Sequence, residues 1–299
     1  MPQTLASSSA VRTCVLKAIC LALMLPIAAG CRRDDSSEPP VATPSFSIAR
    51  ERVAIGSPVE LGYKFEVAQD ATFDRNYWVF VHVLDPDGER LWTDDHQPPV
   101  PTTQWKPGQT IEYTRTVFVP NYPYIGEAVV RLGMYTPEES RRLVLAGNEV
   151  SRREYMVGRF ELLPQSENIF LIDKEGWHQA ETDPGNPTAE WRWTQKRAVI
   201  TFRNPKRDAT FYIEYDARSD LFTPPQQVTI RLGGHVVGSF AATARQPTLL
   251  TFPISAEQMG DGPMAELSID VDRAFKPEGG DPRELGIRIF HTFVQPAQE

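Results

Sequence analysis

From residue 59 onward the chain repeats one pattern: apolar and polar side chains alternate with a period of two. Val59, Leu61, Tyr63, Phe65 and Val67 are separated by Glu60, Gly62, Lys64 and Glu66, the spacing of a half-buried strand with one wet face. Residues 78–84 (WVFVHVL) are apolar on both faces and predict a central strand. Asp85-Pro86-Asp87-Gly88 is a turn sequence that leads into a hairpin partner at 90–93. Trp105-Lys106-Pro107-Gly108 is a second turn, before a strand at 110–119, and further strands are predicted at 129–135, 142–145 and 156–162. About seven short strands, closely spaced by turns and without a convincing helix, describe an immunoglobulin-like sandwich over residues 46–165.

After Leu163-Pro164-Gln165-Ser166 the pattern restarts. Strands are predicted at 170–172, 191–194, 198–202, 209–217, 228–232, 236–241, 249–254, 265–271 and 286–294. Phe211, Ile213, Tyr215 and Ala217 alternate with Tyr212, Glu214 and Asp216, again one face in and one out. Only 255–259 has the makings of a helical turn, with Ser255 as its cap. Residues 166–299 therefore read as a second, jelly-roll-like sandwich, and the fold class is all-β, two consecutive β-sandwich domains.

The first thirty residues belong to neither sandwich. They hold Arg12 and Lys17, no acidic residue, and an apolar run from Ala18 to Ala29 that ends on Gly30-Cys31. This is the plan of a cleaved signal peptide over 1–30, and the run is shorter than the roughly 20 apolar residues a spanning helix takes. Its last residues, Ile27-Ala28-Ala29-Gly30-Cys31, resemble the lipobox of bacterial lipoproteins, with Ala28 where Leu is commoner. The resemblance implies cleavage before Cys31 and acylation of its thiol; the plainer alternative is simple secretion with an incidental cysteine. Cys14 and Cys20 leave with such a leader, so Cys31 is the one thiol of the mature chain, and no disulfide or cysteine metal cage is expected in the body. Residues 31–45, polar and proline-rich, read as the lipidated cysteine and a flexible tether, with folded structure starting near Phe46. Arg32 rather than Asp follows Cys31, which favours the periplasmic face of the outer membrane over the inner membrane.

Loss of Arg12 and Lys17 takes the formal net charge from -8 to -10. Nucleic acid is accordingly not an expected partner, and attachment to the membrane is expected through the lipid alone.

Candidate chemistry is sparse. His82, His96, His178, His235 and His291 show no metal-ligand spacing, and the chain has no nucleophile elbow or phosphate loop. His82 reads as a hydrogen-bonded histidine at the edge of a core. Asp94-Asp95-His96, beside Asp85 and Asp87, is the sharpest polar cluster. Two carboxylates and an imidazole suit a hard cation or acid–base work, but adjacent carboxylates on a strand face opposite ways, and a solvated loop with one Asp capping backbone amides is the plainer account. Of the six tryptophans, Trp191 and Trp193 share a strand face and read as core, while the loop residues Trp105 and Trp177 are the better candidates to stack on a sugar. Asp95 and His96 complete the candidate ligand-binding set. Asp281 and Arg283, with Pro282 between them and Gly286 beyond, read as a structural clasp before the last strand. No metal, cofactor or catalytic residue is expected.

Two stretches carry a resemblance. Val79-Phe80-Val81-His82, Asp94-Asp95-His96-Gln97-Pro98-Pro99, 101–108 (PTTQWKPG) and Gly133-Met134-Tyr135 resemble an immunoglobulin-like accessory domain of bacterial envelope proteins, membrane glycosyltransferases among them. Trp191-Arg192-Trp193-Thr194 with 281–287 (DPRELGI) is similar to a β-sandwich appended to enzymes and lipoproteins of surface-polysaccharide clusters. The resemblance implies a sandwich fold and an envelope glycan context, and it names no catalytic residue. The expected function is a non-catalytic lipoprotein that binds or scaffolds surface polysaccharide or a protein of its export or assembly machinery. A carbohydrate-active enzyme with scattered carboxylates, and a purely structural interaction module, are the alternatives.

Overall fold

A computed structural model describes residues 38–122 and 124–297. The leader, Cys31 and its lipidation fall outside the described residues.

Nine strands form the first sandwich. They are β1 (Ala42–Ile48), β2 (Arg52–Ala54), β3 (Pro58–Val67), β4 (Trp78–Leu84), β5 (Arg90–Thr93), β6 (Thr110–Phe118), β7 (Gly126–Tyr135), β8 (Glu149–Ser151) and β9 (Glu154–Leu163). One sheet runs β1-β3-β6 and the other β2-β9-β7-β4-β5, with β8 on β9. The alternating residues of β3 face the core as expected: Leu61, Tyr63, Phe65 and Val67 pack with Val79, Val81 and Val83 of β4 and Val130 and Leu132 of β7. All these pairings are antiparallel except β2 with β9, which run parallel.

The structure corrects the tether boundary. β1 begins at Ala42, inside the stretch read as tether, and Ala42 is buried. Ala42, Pro44, Phe46 and Ile48 share the inward face of β1, and Pro44 is tolerated because β1 is an edge strand. Residues 142–145 differ from expectation in the other direction. Leu143 donates its backbone N–H to Met134, while Val41 donates to Val144 and Ala146 to Ala42. With its hydrogen bonds divided between two partners, this segment ties the sheets together at one corner without extending either.

The second sandwich comprises β10 (Leu171–Asp173), β11 (Glu181–Asp183), β12 (Asn186–Trp193), β13 (Arg197–Arg203), β14 (Ala209–Asp216), β15 (Gln227–Leu232), β16 (His235–Ala241), β17 (Thr248–Ile254), β18 (Met264–Val271) and β19 (Arg288–Pro296). Two five-stranded sheets, β10-β13-β18-β15-β16 and β11-β12-β19-β14-β17, face each other across Ile200, Phe211, Ile213, Ile230, Leu267 and Ile289. A turn of α-helix, α1 (Ala256–Met259), is capped by Ser255 in a reciprocal capping box with Gln258. Among the described residues, no helix is long and apolar enough to cross a membrane.

Candidate functional site

The polar cluster picked out in the sequence belongs to the core of the first sandwich. Asp94 and His96 follow β5 with their side chains turned inward, and Asp95 between them faces out, as strand alternation requires. The Asp94 carboxylate accepts hydrogen bonds from the Tyr63 hydroxyl at 2.9 Å and from Arg115 Nε and Nη2 at 3.0 and 2.8 Å. His96 lies 2.7 Å through Nδ1 from the backbone oxygen of Asp94 and 2.8 Å through Nε2 from the Tyr113 hydroxyl. Burial pushes the Tyr63 and Tyr113 hydroxyls well above the usual phenol range and holds His96 below its ordinary value. This corrects two expectations. Asp94 is a buried ion-pair partner, which leaves Asp95 as the one Asp of the pair that accepts a backbone amide, and His96, 4 % exposed, is a core residue rather than a ligand contact. Asp95 remains at the surface, where it accepts the Val81 backbone N–H and the Tyr135 hydroxyl.

Trp105 is corrected in the same way. It is 5 % exposed, its indole donates to the Val100 carbonyl at 2.8 Å, and its ring packs against Phe65 and Phe73. A turn placed Trp105 at the end of the sandwich, but the turn folds its ring under the sheet. His82 sits half-buried on the outer face of β4, 3.5 Å from Glu154, and burial lowers its pKa.

Trp177 leads elsewhere. Its indole N–H donates to the Val199 carbonyl at 2.9 Å, and its ring forms part of the wall of a cleft of about 830 Å³. Phe118, Val119, Pro120 and Asn121 of the first sandwich form one wall; Phe170, Leu171, Asp173, Trp177, Trp191, Arg192, Phe290 and Phe293 of the second supply the rest. That volume is within the usual range of ligand sites, and the lining divides about evenly between aromatic or aliphatic and polar surface, more polar than most such sites. Phe170 is 60 % exposed. Arg192 donates to the Asp173 carboxylate, which burial pushes above its ordinary value against the opposing pull of that guanidinium. At the far rim the His291 ring stacks on Phe118 at 4.5 Å, and its Nδ1 lies 2.6 Å from Glu214.

Trp191 is fixed from two directions. Its indole N–H donates to Glu181 Oε2 at 3.2 Å, and the Arg288 guanidinium lies over its ring at 5.0 Å. The Asp281–Arg283 pair meets this arrangement. Asp281 accepts the Arg283 backbone N–H and two guanidinium hydrogen bonds, and Arg283 Nη1 reaches Glu181 Oε1 at 2.5 Å. The guanidinium thus bridges two carboxylates, so the clasp reaches beyond its own loop to β11. Gly286 donates its N–H to Thr194, whose hydroxyl would lie 2.4 Å from a Cβ at this position.

Of the expected ligand set, then, only Trp177 lines the cleft. The aromatic residues that sequence reading missed are Phe118, Phe170, Trp191, Phe290 and Phe293, and they come from separated segments. The one local signal was Phe170-Leu171-Ile172, an apolar run leading into β10 whose Phe170 and Ile172 stay exposed.

No protein-family model matches the chain, and none of the curated proteins matches it. Among solved structures, a Bacteroides uniformis β-glucuronidase is 10 % identical over 85 % of this chain and 30 % of its own, with a TM-score of 0.29. The CARDB domain of a Pyrococcus furiosus protein, in complex with di-metal ions, is 10 % identical over 44 % of this chain and 97 % of its own, with a TM-score of 0.24. The CBM51-2 and INT domains of Clostridium perfringens ZmpB are 9 % identical over 58 % and 38 %, with a TM-score of 0.23. The chain spans 30 % of the length of the glucuronidase. Likeness at this level carries no argument about function.

Proposed function

We propose that this protein is a non-catalytic, lipid-anchored module of a bacterial envelope that binds or scaffolds surface polysaccharide through the cleft between its two sandwiches. The observation that carries the reading is the gathering of five aromatic side chains that are not fully buried, Phe118, Phe170, Trp177, Trp191 and Phe290, on one cleft with Asp173, Arg192 and Asn168 interspersed. Aromatic faces pack against the C–H faces of sugar rings, and side-chain amides and charged groups take the hydroxyls. The glycan context implied by the sequence resemblance points the same way.

Titration of the intrinsic tryptophan fluorescence with envelope polysaccharide tests it. Saturable change is expected, lost in a Trp177→Ala, Arg192→Ala double variant. Release of reducing ends from the same polymer would instead make the protein an enzyme. Anchoring is tested separately: Cys31→Ser is expected to leave the body folded and move the protein from the membrane to the soluble fraction, and continued sedimentation with membranes would refute the lipid anchor.

A further inference from the structure

We propose that Trp191 is a pre-set stacking platform for a neutral pyranose ring, held in place by two carboxylate-anchored arginines, Arg283 and Arg288. The proposal rests on the glycan-binding reading above and names the ligand class and the positioning residues of the same cleft.

Two independent relays converge on this one ring. At its edge, the indole N–H donates to Glu181, whose other oxygen accepts from Arg283 Nη1 at 2.5 Å, and Arg283 is in turn clamped on Asp281 through Nε at 2.9 Å and Nη2 at 2.7 Å. Across its face lies Arg288, fixed by the carboxylate of Asp216, whose side chain is 3 % exposed. Trp191 is on β12 and Arg288 on β19, adjacent strands in register, so neither relay depends on a mobile loop alone.

Trp193 shows what such a stack does when it is only structural. It shares Arg288 with Trp191, but Phe275 packs on it edge-on and it is 8 % exposed. Trp191 is held as firmly and still lines the cleft, half-exposed. A large aromatic ring fixed before a ligand arrives has no rotamer freedom left to lose on binding, which is the condition under which stacking contributes most.

The charges around it choose among sugars. Asp173 and Glu190 line the cleft, and the guanidinium beside them, Arg192, is already paired with Asp173. The whole chain carries a formal charge of -8. A uronate polymer would meet repulsion both at a distance and at the site, while a neutral ring meets acceptors for its hydroxyls.

The test uses affinity electrophoresis and fluorescence titration of the full chain with three neutral polymers, hydroxyethyl cellulose, soluble β-1,3-glucan and galactomannan, and with polygalacturonate as the acidic counterpart. Binding to at least one neutral polymer is expected, with polygalacturonate weaker by tenfold or more at low salt. Trp191→Ala should weaken neutral binding at least tenfold and Trp191→Phe should restore most of it. Glu181→Ala should weaken it several-fold with an unchanged melting temperature, a pattern that a purely structural role would not give. Parent-like binding by Trp191→Ala, or tighter binding of polygalacturonate, overturns the platform and leaves the cleft reading standing. Failure of the parent to bind any of the three neutral polymers overturns the platform, and failure to bind envelope polysaccharide as well overturns both.

Discussion

At the scale of single residues, the partners of His96 dictate its protonation. Its Nδ1 faces a backbone oxygen, which only accepts, so Nδ1 carries the hydrogen and Nε2 accepts from the Tyr113 hydroxyl. The ring is neutral in the folded protein, and burial holds its pKa below the ordinary 6.5. The unfolded chain takes up a proton near that value while the folded protein does not. Stability is therefore highest above pH 6.5 and falls as the pH drops from 6.5 toward the folded pKa. His82, shifted the same way by burial, adds to the slope. Thermal midpoints measured between pH 7.5 and 5 should decline, and the decline should be shallower in His96→Gln; an identical slope in that variant would show that His96 is not the titrating group. Asp94 makes a second prediction. With Arg115 replaced by Ala, its nearly buried carboxylate keeps only the Tyr63 hydroxyl. Breaking a buried pair from one side leaves a charge uncompensated, although water reaches the exposed part of Arg115, so a loss of about 1–3 kcal/mol is expected in urea unfolding.

At the scale of elements, β1 makes the boundary of the first sandwich testable. Removing residues up to Pro40 should leave the unfolding midpoint unchanged, whereas removal up to Ser45 takes away Ala42 and Pro44, half of the inward face of β1, and should lower it clearly. Gly286 gives the complementary case in the second sandwich. A methyl group there would meet Thr194 Oγ1 at 2.4 Å and the Gln195 carbonyl oxygen at 2.7 Å, so Gly286→Ala should cost about 1–3 kcal/mol and loosen the junction of β12 and β19. These elements also show what a sequence makes legible. β3 and β14 announce themselves because five and four apolar residues, respectively, alternate without interruption. β1 carries the same alternation, but Pro39, Pro40 and Pro44 read as tether, since nothing local says that an edge strand will excuse a proline. β2, β8 and β11, three residues each, are too short to show any period at all. Residues 142–145 have a strand's pattern and lack the single partner that makes one.

At the scale of the whole molecule, the two sandwiches meet through specific contacts. Arg50, steadied by the Pro58 carbonyl of its own sandwich, donates to Gln295 Oε1 at 2.7 Å, Asn168 donates to the Ile55 carbonyl at 2.8 Å, and Phe118 stacks on His291. Arg50→Ala should speed proteolytic nicking near residues 164–170 several-fold while leaving each sandwich's own unfolding midpoint in place. Unchanged nicking would mean that Arg50 does not hold the joint. The cleft that depends on this joint was illegible in the sequence for a plain reason: residues 118–121, 170–177, 191–192 and 290–293 become neighbours only after both sandwiches have formed. Trp177 was found because a tryptophan in a loop is conspicuous, and Trp105 misled for the same reason. The direction of β1 has one more consequence. Ala42 pairs with Val67 and Ile48 with Leu61, while Phe118 of the cleft pairs with Pro58, so the chain comes into the first sandwich at the end opposite the cleft. At about 3.3 Å per residue, the nine residues of β6 set those two ends roughly 30 Å apart. The first sandwich is thus a spacer of that length, set between the chain's point of entry and the cleft.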